Sequence, residues 1–169
     1  MKSKVERKNQ KAASAKSKQT DRTVAVNKKA AFDYFFVETF EAGIALEGSE
    51  VKSVKKGDVS LRDSFCHLEN GNLELKNCQI TPYSKVGAFA PDPRRSRRLL
   101  LHKSQIDKLA SKAAEKGFTI VPVKMYIKGR FVKVEIALAK GKKKYEKKQV
   151  IKERDISRTA EREIRGFNG

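Results

Sequence analysis

A chain of 169 residues is long enough for one domain with a proper core and too short for two domains plus the polar ends described below. Its 39 Lys and Arg against 20 Asp and Glu leave a formal net charge of +19 and a pI of about 10.0, an excess that repels itself unless a polyanion neutralises it. No run of about 18 apolar residues is present to cross a bilayer, no basic stretch carries the apolar face of an interfacial helix, and the opening MKSKVERKNQKAASAKSKQTDRT lacks the apolar centre of a signal peptide. Composition thus predicts a cytoplasmic chain with nucleic acid, and no membrane, as its counter-charge. The basic, Ser-containing start, with only Glu6 and Asp21 acidic, leaves an organelle transit peptide open.

Residues 1–25 are rich in Lys, Ala and Ser without periodic apolar positions, and are expected to form a flexible basic arm. The apolar content lies in residues 26–139, which predict the folded domain. Phe32 to Phe40 is aromatic and β-rich, and Gly43 to Leu46 extends it, with Gly43 suited to a bend. Gly48 to Gly57 predicts a short helix: Ser49 as cap, Val51 and Val54 on one face, lysines in the last turn, Gly57 closing it. Asp63 to Glu69 and Asn72 to Asn77 flank Asn70-Gly71, a tight-turn signal that predicts a hairpin with Cys66, Leu68, Leu73 and Leu75 inward.

Residues 82–97 hold three of the four prolines and predict a long loop of a functional kind. Ser104 to Lys116 predicts a second helix with Ile106, Leu109, Ala110 and Ala113 as its apolar stripe. Two longer strands follow, Phe118–Ile127 and Phe131–Ala139, and Pro122 requires an edge or a bulge in the first, because it has no amide to donate. Many short strands with two inserted helices predict a mainly β fold, an oligonucleotide-binding-type barrel, although a generic split barrel has the same pattern. Residues 140–169 are basic and then broadly charged, with Ile156, Ala160 and Ile164 as a weak stripe. Such a tail is expected to be disordered alone and helical against a polyanion.

Chemistry of the catalytic kind is not indicated. Glu38, Glu41, Glu47 and Glu50 are the carboxylates to weigh, but no Ser/His/Asp order, phosphate-cradling loop or zinc spacing accompanies them, and Cys66, Cys78, His67 and His102 form no metal set. The cysteines read as small buried hydrophobes in a reducing compartment. No enzyme, cofactor or metal is expected.

Four basic clusters are candidates for phosphate contact: the N-terminal arm, Lys52/Lys55/Lys56, Arg94/Arg95/Arg97/Arg98, and Lys140 to Lys148. Tyr83 and Phe89 are aromatics placed to stack on an unpaired base, with simple loop packing the alternative for Phe89. Glu41 stands out, since a carboxylate repels phosphate but accepts from base edges, ribose hydroxyls or a neighbouring cation.

Read in order, Asn27-Lys28-Lys29-Ala30, the run from Phe40 to Val54 (FEAGIALEGSEVKSV), Asp63-Ser64-Phe65, Ile80-Thr81-Pro82-Tyr83, Asp92 to His102 and Ala139 to Lys143 resemble the SmpB family over roughly residues 26–157. The resemblance implies a barrel that grips the tRNA-like domain of transfer-messenger RNA (tmRNA, also SsrA RNA). It also implies delivery with elongation factor Tu to stalled ribosomes for trans-translation, the protein standing in for an anticodon arm. By position it assigns Asn27, Glu41, Lys52 and Leu100 to the RNA. It assigns Lys140, Gly141, Lys142, Lys143, Tyr145, Glu146, Lys147 and Lys148 to the decoding centre of 16S rRNA and the empty mRNA channel, with Ile156 and Ile164 further along the tail. Two departures bear on this: Phe32 and Tyr145 stand where histidines are expected, and Glu146-Lys147-Lys148 where Asp-Lys-Arg is expected.

Overall fold

Strand Phe118–Lys128 (β8) has more partners than a regular strand can serve, and Pro122 is the reason. The computed structural model describes residues 21–167. Besides β8 it contains strands Arg22–Val26 (β1), Tyr34–Ile44 (β2), Val59–Ser60 (β3), Phe65–Glu69 (β4), Asn72–Lys76 (β5), Gln79–Ile80 (β6), Arg97–Leu100 (β7) and Phe131–Gly141 (β9), with helices Lys28–Asp33 (α1), Gly48–Lys56 (α2), Lys103–Ala113 (α3) and Lys144–Phe167 (α4). One side of β8 pairs along its length with β9. On the other, Ile120 pairs with Cys66 of β4, and Lys124 to Ile127 pair with β1, the two segments separated by a register shift between Pro122 and Lys124. The bulge expected at Pro122 therefore divides one strand between two neighbours.

The ring runs β8, β4, β5, β7, β2, β9 and back to β8, all antiparallel, while β3 and β6 form a separate two-stranded ribbon. Closure is narrow at β4 and β8, joined by the single register pair Cys66 with Ile120, so the barrel is partly open there. The fold is mainly β with inserted helices, as the alternation predicts. Asn70 (φ 50°) and Gly71 (φ 73°) make the tight turn between β4 and β5, and Leu73 and Leu75 are fully buried inside. Leu99, Leu109, Met125, Val134, Ile136 and Leu138 complete the interior. Each such side chain contributes about 1.5–3 kcal/mol by leaving water. Cys66 and Cys78 are free and buried; burial pushes both thiols up, Cys78 to about 11, so they serve as packing.

Several local expectations are corrected. Residues 22–25, assigned to the arm, belong to β1, because Thr23 and Val24 supply β-branched residues to the edge that β8 exposes beyond its bulge. The rest of the arm, residues 1–20, lies outside the described residues. Phe32 sits in α1, which Asn27 caps by accepting from the Ala30 amide at 3.0 Å. Helix α2 starts not on Ser49 but on Glu47, whose amide donates to Glu50 Oε2 at 2.9 Å, and α3 starts on His102, whose amide donates to Gln105 Oε1 at 3.2 Å. Tail residues Lys144–Phe167 form one continuous helix, the conformation expected of the tail against a polyanion. The Lys143 amide donates to Glu146 Oε2 at 2.6 Å and the Lys147 ammonium holds Asp33 at 2.8 Å, so α1 gives the helix a fixed first turn.

The largest correction concerns Arg97, assigned to RNA. It is fully buried and bound on every side: Nε donates to Glu50 Oε1 at 2.8 Å, Nη1 to the Cys78 and Arg95 carbonyls at 2.7 and 3.1 Å, and Nη2 to the Pro93 carbonyl at 3.0 Å. Alternation explains it, since Arg97 shares the inward face of β7 with Leu99. Glu50 also receives Arg95, whose Nε lies 3.0 Å from Oε1 and Nη2 2.5 Å from Oε2. Burial pushes the Glu50 carboxyl up, but donation from Arg95, the Glu47 amide and Arg97 outweighs it and holds the group below the usual carboxylate range.

Replacing Glu50 by Ala leaves a buried guanidinium without its counter-ion and is expected to destabilise the fold by about 3–5 kcal/mol in urea unfolding. Because the folded-state pKa of Glu50 is depressed, its contribution is present above the ordinary glutamate value of about 4.3 and is lost as pH falls through the lowered folded value. Circular-dichroism acid titration should therefore show a shallower loss of stability in Glu50→Gln than in the parent chain.

Candidate nucleic-acid interface

Helix α2 carries Lys52, Lys55 and Lys56 on its exposed face, since Ser53 and Val54 turn inward. Lys52 and Lys56, one turn apart, both lean on the Tyr83 ring, with ammonium nitrogens 5.3 and 4.6 Å from its centroid. Such contacts contribute about 0.5–1 kcal/mol each at exposed sites and here gather two charges over one ring. The Pro-rich loop adds Arg94, exposed and shaped by its amide, which donates to Asp92 Oδ1 at 2.7 Å. Arg98 is exposed on β7 opposite Glu74. Of the four arginines expected to face phosphate, Arg94 and Arg98 are exposed, Arg95 is engaged by Glu50 and the Ser96 carbonyl, and Arg97 is buried. The side chain of Phe89 lies outside the described part.

A second group forms where β2, β7 and the turn between β8 and β9 meet. Leu100, 53% exposed, stands opposite Gly43, where a Cβ would come within 3.2 Å of Leu100 Cβ, so the glycine makes the room. Beside them runs a cleft of about 300 Å³ lined by Ile44, Leu46, Val51, Arg130, Phe131 and Lys133 among others. Phe131 is 65% exposed, an apolar ring in a cationic setting of the kind that stacks on bases. Glu41 accepts from the Tyr126 hydroxyl and from Lys128 at 3.1 Å, with Lys133 3.8 Å away, and these donors hold its carboxyl below the usual range. Asn27, in contrast, is buried: its amide nitrogen donates to the Pro122 carbonyl at 3.0 Å and its oxygen caps α1. Both ends of its side chain are thus engaged within the protein, joining β8 to the start of α1.

At the third group, β9 delivers Lys140 and Gly141 to the root of α4. Lys142 is tied down, its amide donating to the Asp33 carbonyl at 2.8 Å and its ammonium to the Ala31 carbonyl at 3.1 Å and standing 4.9 Å over the Phe35 ring. Lys147 and Glu146 serve the helix start, whereas Lys143, Lys148 and Tyr145 (63% exposed) face outward, as do Ile156 and Ile164. Phe32 lies under the Arg154 guanidinium at 5.7 Å. Sequence reading missed Tyr126, Lys128, Arg130, Phe131 and Lys133. The available signal was the Lys128-Gly129-Arg130 turn, which a hairpin presents on an outer edge together with its flanking residues.

The four carboxylates weighed for catalysis are each taken up by cations or a phenol: Glu38 holds Lys108 and Lys112, Glu41 holds Tyr126 and Lys128, Glu50 holds Arg95 and Arg97, and Glu47 stands 3.8 Å from the same Arg95. Among the described residues no three His, Cys, Asp or Glu gather to hold a metal ion, and no helix is long and apolar enough to cross a membrane.

A partly closed barrel with an exposed arginine loop, a lysine-bearing helix and an apolar cleft edged by cations defines a basic β-barrel protein of the nucleic-acid-binding kind. A family model described as SmpB protein matches residues 24–166, and the chain belongs to the SmpB family. The SsrA-binding protein of Sulfurihydrogenibium sp. (strain YO3AOP1) is 52% identical over 147 residues, 87% of this chain and 97% of that one. That of Persephonella marina is 52% identical over 145 residues, 86% and 95% of the two chains. A solved chain described as "tmRNA-SmpB: a journey to the center of the bacterial ribosome" superposes with a TM-score of 0.61 at 48% identity, covering 70% of this chain and 84% of that one. The family resemblance and the barrel expected from sequence both hold.

The geometry separates the arginines experimentally. Arg94→Ala and Arg98→Ala are each expected to weaken RNA binding across all sequences and to lower the slope of log affinity against log salt by about one, with little change in melting temperature. Arg97→Ala is expected to unfold the chain first, visible as a lost thermal transition, because it opens the Glu50 cluster.

Proposed function

We propose that this protein binds the tRNA-like domain of tmRNA and brings it to stalled ribosomes for trans-translation. It is an RNA-binding protein and not an enzyme. The observation that carries the reading is the pairing of a cationic, cleft-bearing barrel surface with about half identity to SsrA-binding proteins over most of the chain. Lys52, Lys55, Lys56, Arg94, Arg98 and part of Arg95 neutralise backbone phosphates. Leu100 and Phe131 offer apolar surface to an unstacked base, and Glu41 accepts from a base edge or ribose hydroxyl. Asn27 acts from beneath, by fixing α1.

Charge density sets the order of events. Phosphate contacts give affinity and fast encounter without sequence information, and the cleft with Glu41 then selects the RNA that presents an unpaired base there. On the ribosome, Lys140, Gly141, Lys142, Lys143 and Tyr145 meet 16S rRNA in the A site while the barrel stands in for an anticodon arm, and α4 with Glu146, Lys147, Lys148, Ile156 and Ile164 enters the empty mRNA channel. Elongation factor Tu takes part indirectly, through the aminoacylated RNA. The protein acts in the cytoplasm. Tyr145 in place of histidine keeps an aromatic ring for stacking without an imidazole proton.

RNA that co-purifies with the protein at moderate salt is expected to be dominated by one tRNA-like RNA with an internal reading frame; a smear of ribosomal and transfer RNA would overturn the reading. Ending the chain after Lys143 is expected to preserve affinity for that RNA within about threefold and to abolish tagging of stalled peptides in a reconstituted translation reaction. Joint loss of both would show that barrel and helix do not divide the work.

A further inference from the structure

We propose that Tyr126 is a positioning residue for RNA recognition, its phenol fixing the Glu41 carboxylate in the orientation from which Glu41 accepts a hydrogen bond from RNA. The inference rests on the reading of Glu41 as an RNA-facing group. Glu41 lies opposite Glu135 on one side of β9, and Tyr126 lies opposite Lys133 on the other. The phenol therefore reaches across the width of β9 to meet the carboxylate. Tyr126 is 6% exposed, whereas the Glu41 side chain is 40% exposed, so a buried donor holds a group that meets solvent.

The other donors on Glu41 do a different job. Lys128 approaches both carboxylate oxygens, at 3.1 and 3.4 Å, and Lys133 stands 3.8 Å from Oε1. Their charges sit on flexible four-carbon stems, and an arriving phosphate draws them away from the carboxylate. Tyr126 has no such freedom, since its ring is packed in the barrel wall with Lys124 over it at 5.6 Å. When the lysines turn to phosphate, the phenol is the donor that stays. It satisfies one lone pair of the carboxylate and leaves the others to accept. A carboxylate fixed this way accepts from an amino or imino N–H of a base or from a ribose hydroxyl, and repels a phosphate that comes too close.

The partner selected is thus an unpaired nucleotide presenting donors, and the apolar Leu100 and Phe131 surface of the neighbouring cleft suits its base. Without the phenol, Glu41 retains its charge but loses its direction.

A double-mutant cycle on the full chain tests this, using a transcript of the tRNA-like part of tmRNA as probe. Tyr126→Phe keeps the ring and is expected to weaken binding by about tenfold, the effect of one hydrogen bond to a charged group. In a Glu41→Ala background the same change is expected to have no further effect. A pH series adds a readout that packing alone does not move: in Tyr126→Phe the acid limb of binding shifts to higher pH. Equal weakening by Tyr126→Phe in both backgrounds would overturn the proposal, as would full affinity in Tyr126→Phe while Glu41→Ala binds poorly. Full affinity in Glu41→Ala would remove the RNA-facing reading of Glu41 itself, and this proposal with it. Urea unfolding of each variant separates loss of contact from loss of fold.

Discussion

One buried carboxylate organises the cationic surface. Glu50 lies on α2, Arg97 on β7 and Arg95 on the Pro-rich loop that leads from β6 into β7, so a single side chain joins the lysine-bearing helix to the arginine-bearing loop. A buried ion pair is a poor source of net stability, because desolvation offsets attraction. Its value lies in direction. The guanidinium of Arg97 also closes the Cys78 and Pro93 carbonyls, which leaves the Pro-rich loop few alternative paths. Lys52, Lys56, Tyr83 and Arg94 are therefore carried on elements that one cluster ties together.

The acidic residues of this basic chain follow a pattern. Glu38 fastens α3 to β2 through Lys108 and Lys112, Asp33 fastens α4 through Lys147, and Asp63 fastens α1 through Lys29. Exposed pairs of this kind are individually weak, about 0–1 kcal/mol. They decide which cations are occupied within the protein and which remain open to a polyanion. The formal charge of +19 therefore overstates the binding face, and the free lysines and arginines on α2, the loop and the root of α4 describe it better.

Much of this was legible in the sequence. Asn70-Gly71 marked its hairpin, Pro122 its bulge, and the alternation of Val132, Val134, Ile136 and Leu138 the inner face of β9, because each reports a local rule that tertiary packing does not override. Helix starts were misplaced by two residues, since Ser49 and Ser104 compete with the Glu47/Glu50 and His102/Gln105 pairs that tertiary contacts favour. The site was half legible. Basic clusters announced themselves, but which arginine is buried depends on the partner strand and on Glu50, 47 positions away. The Tyr126 and Glu41 pairing, separated by 85 positions, belongs wholly to the register of β9 with its two neighbours.

The contacts that fix α4 to the barrel lie between Lys142 and Arg154, all on α1, its flanks and the start of β2. With 24 residues at a rise of 1.5 Å each the helix is about 36 Å long, so a tilt of about 10° at its root carries its far end about 6 Å. The short helix at Lys28–Asp33 is in that sense a pivot: its contacts meet α4 at Lys147 and Arg154, about 10 Å apart along the axis, so a relative adjustment of about 1 Å there is multiplied about threefold at the tip. At position 32 an aromatic ring meets Arg154 through its face, a contact whose geometry is less exacting than a directional hydrogen bond.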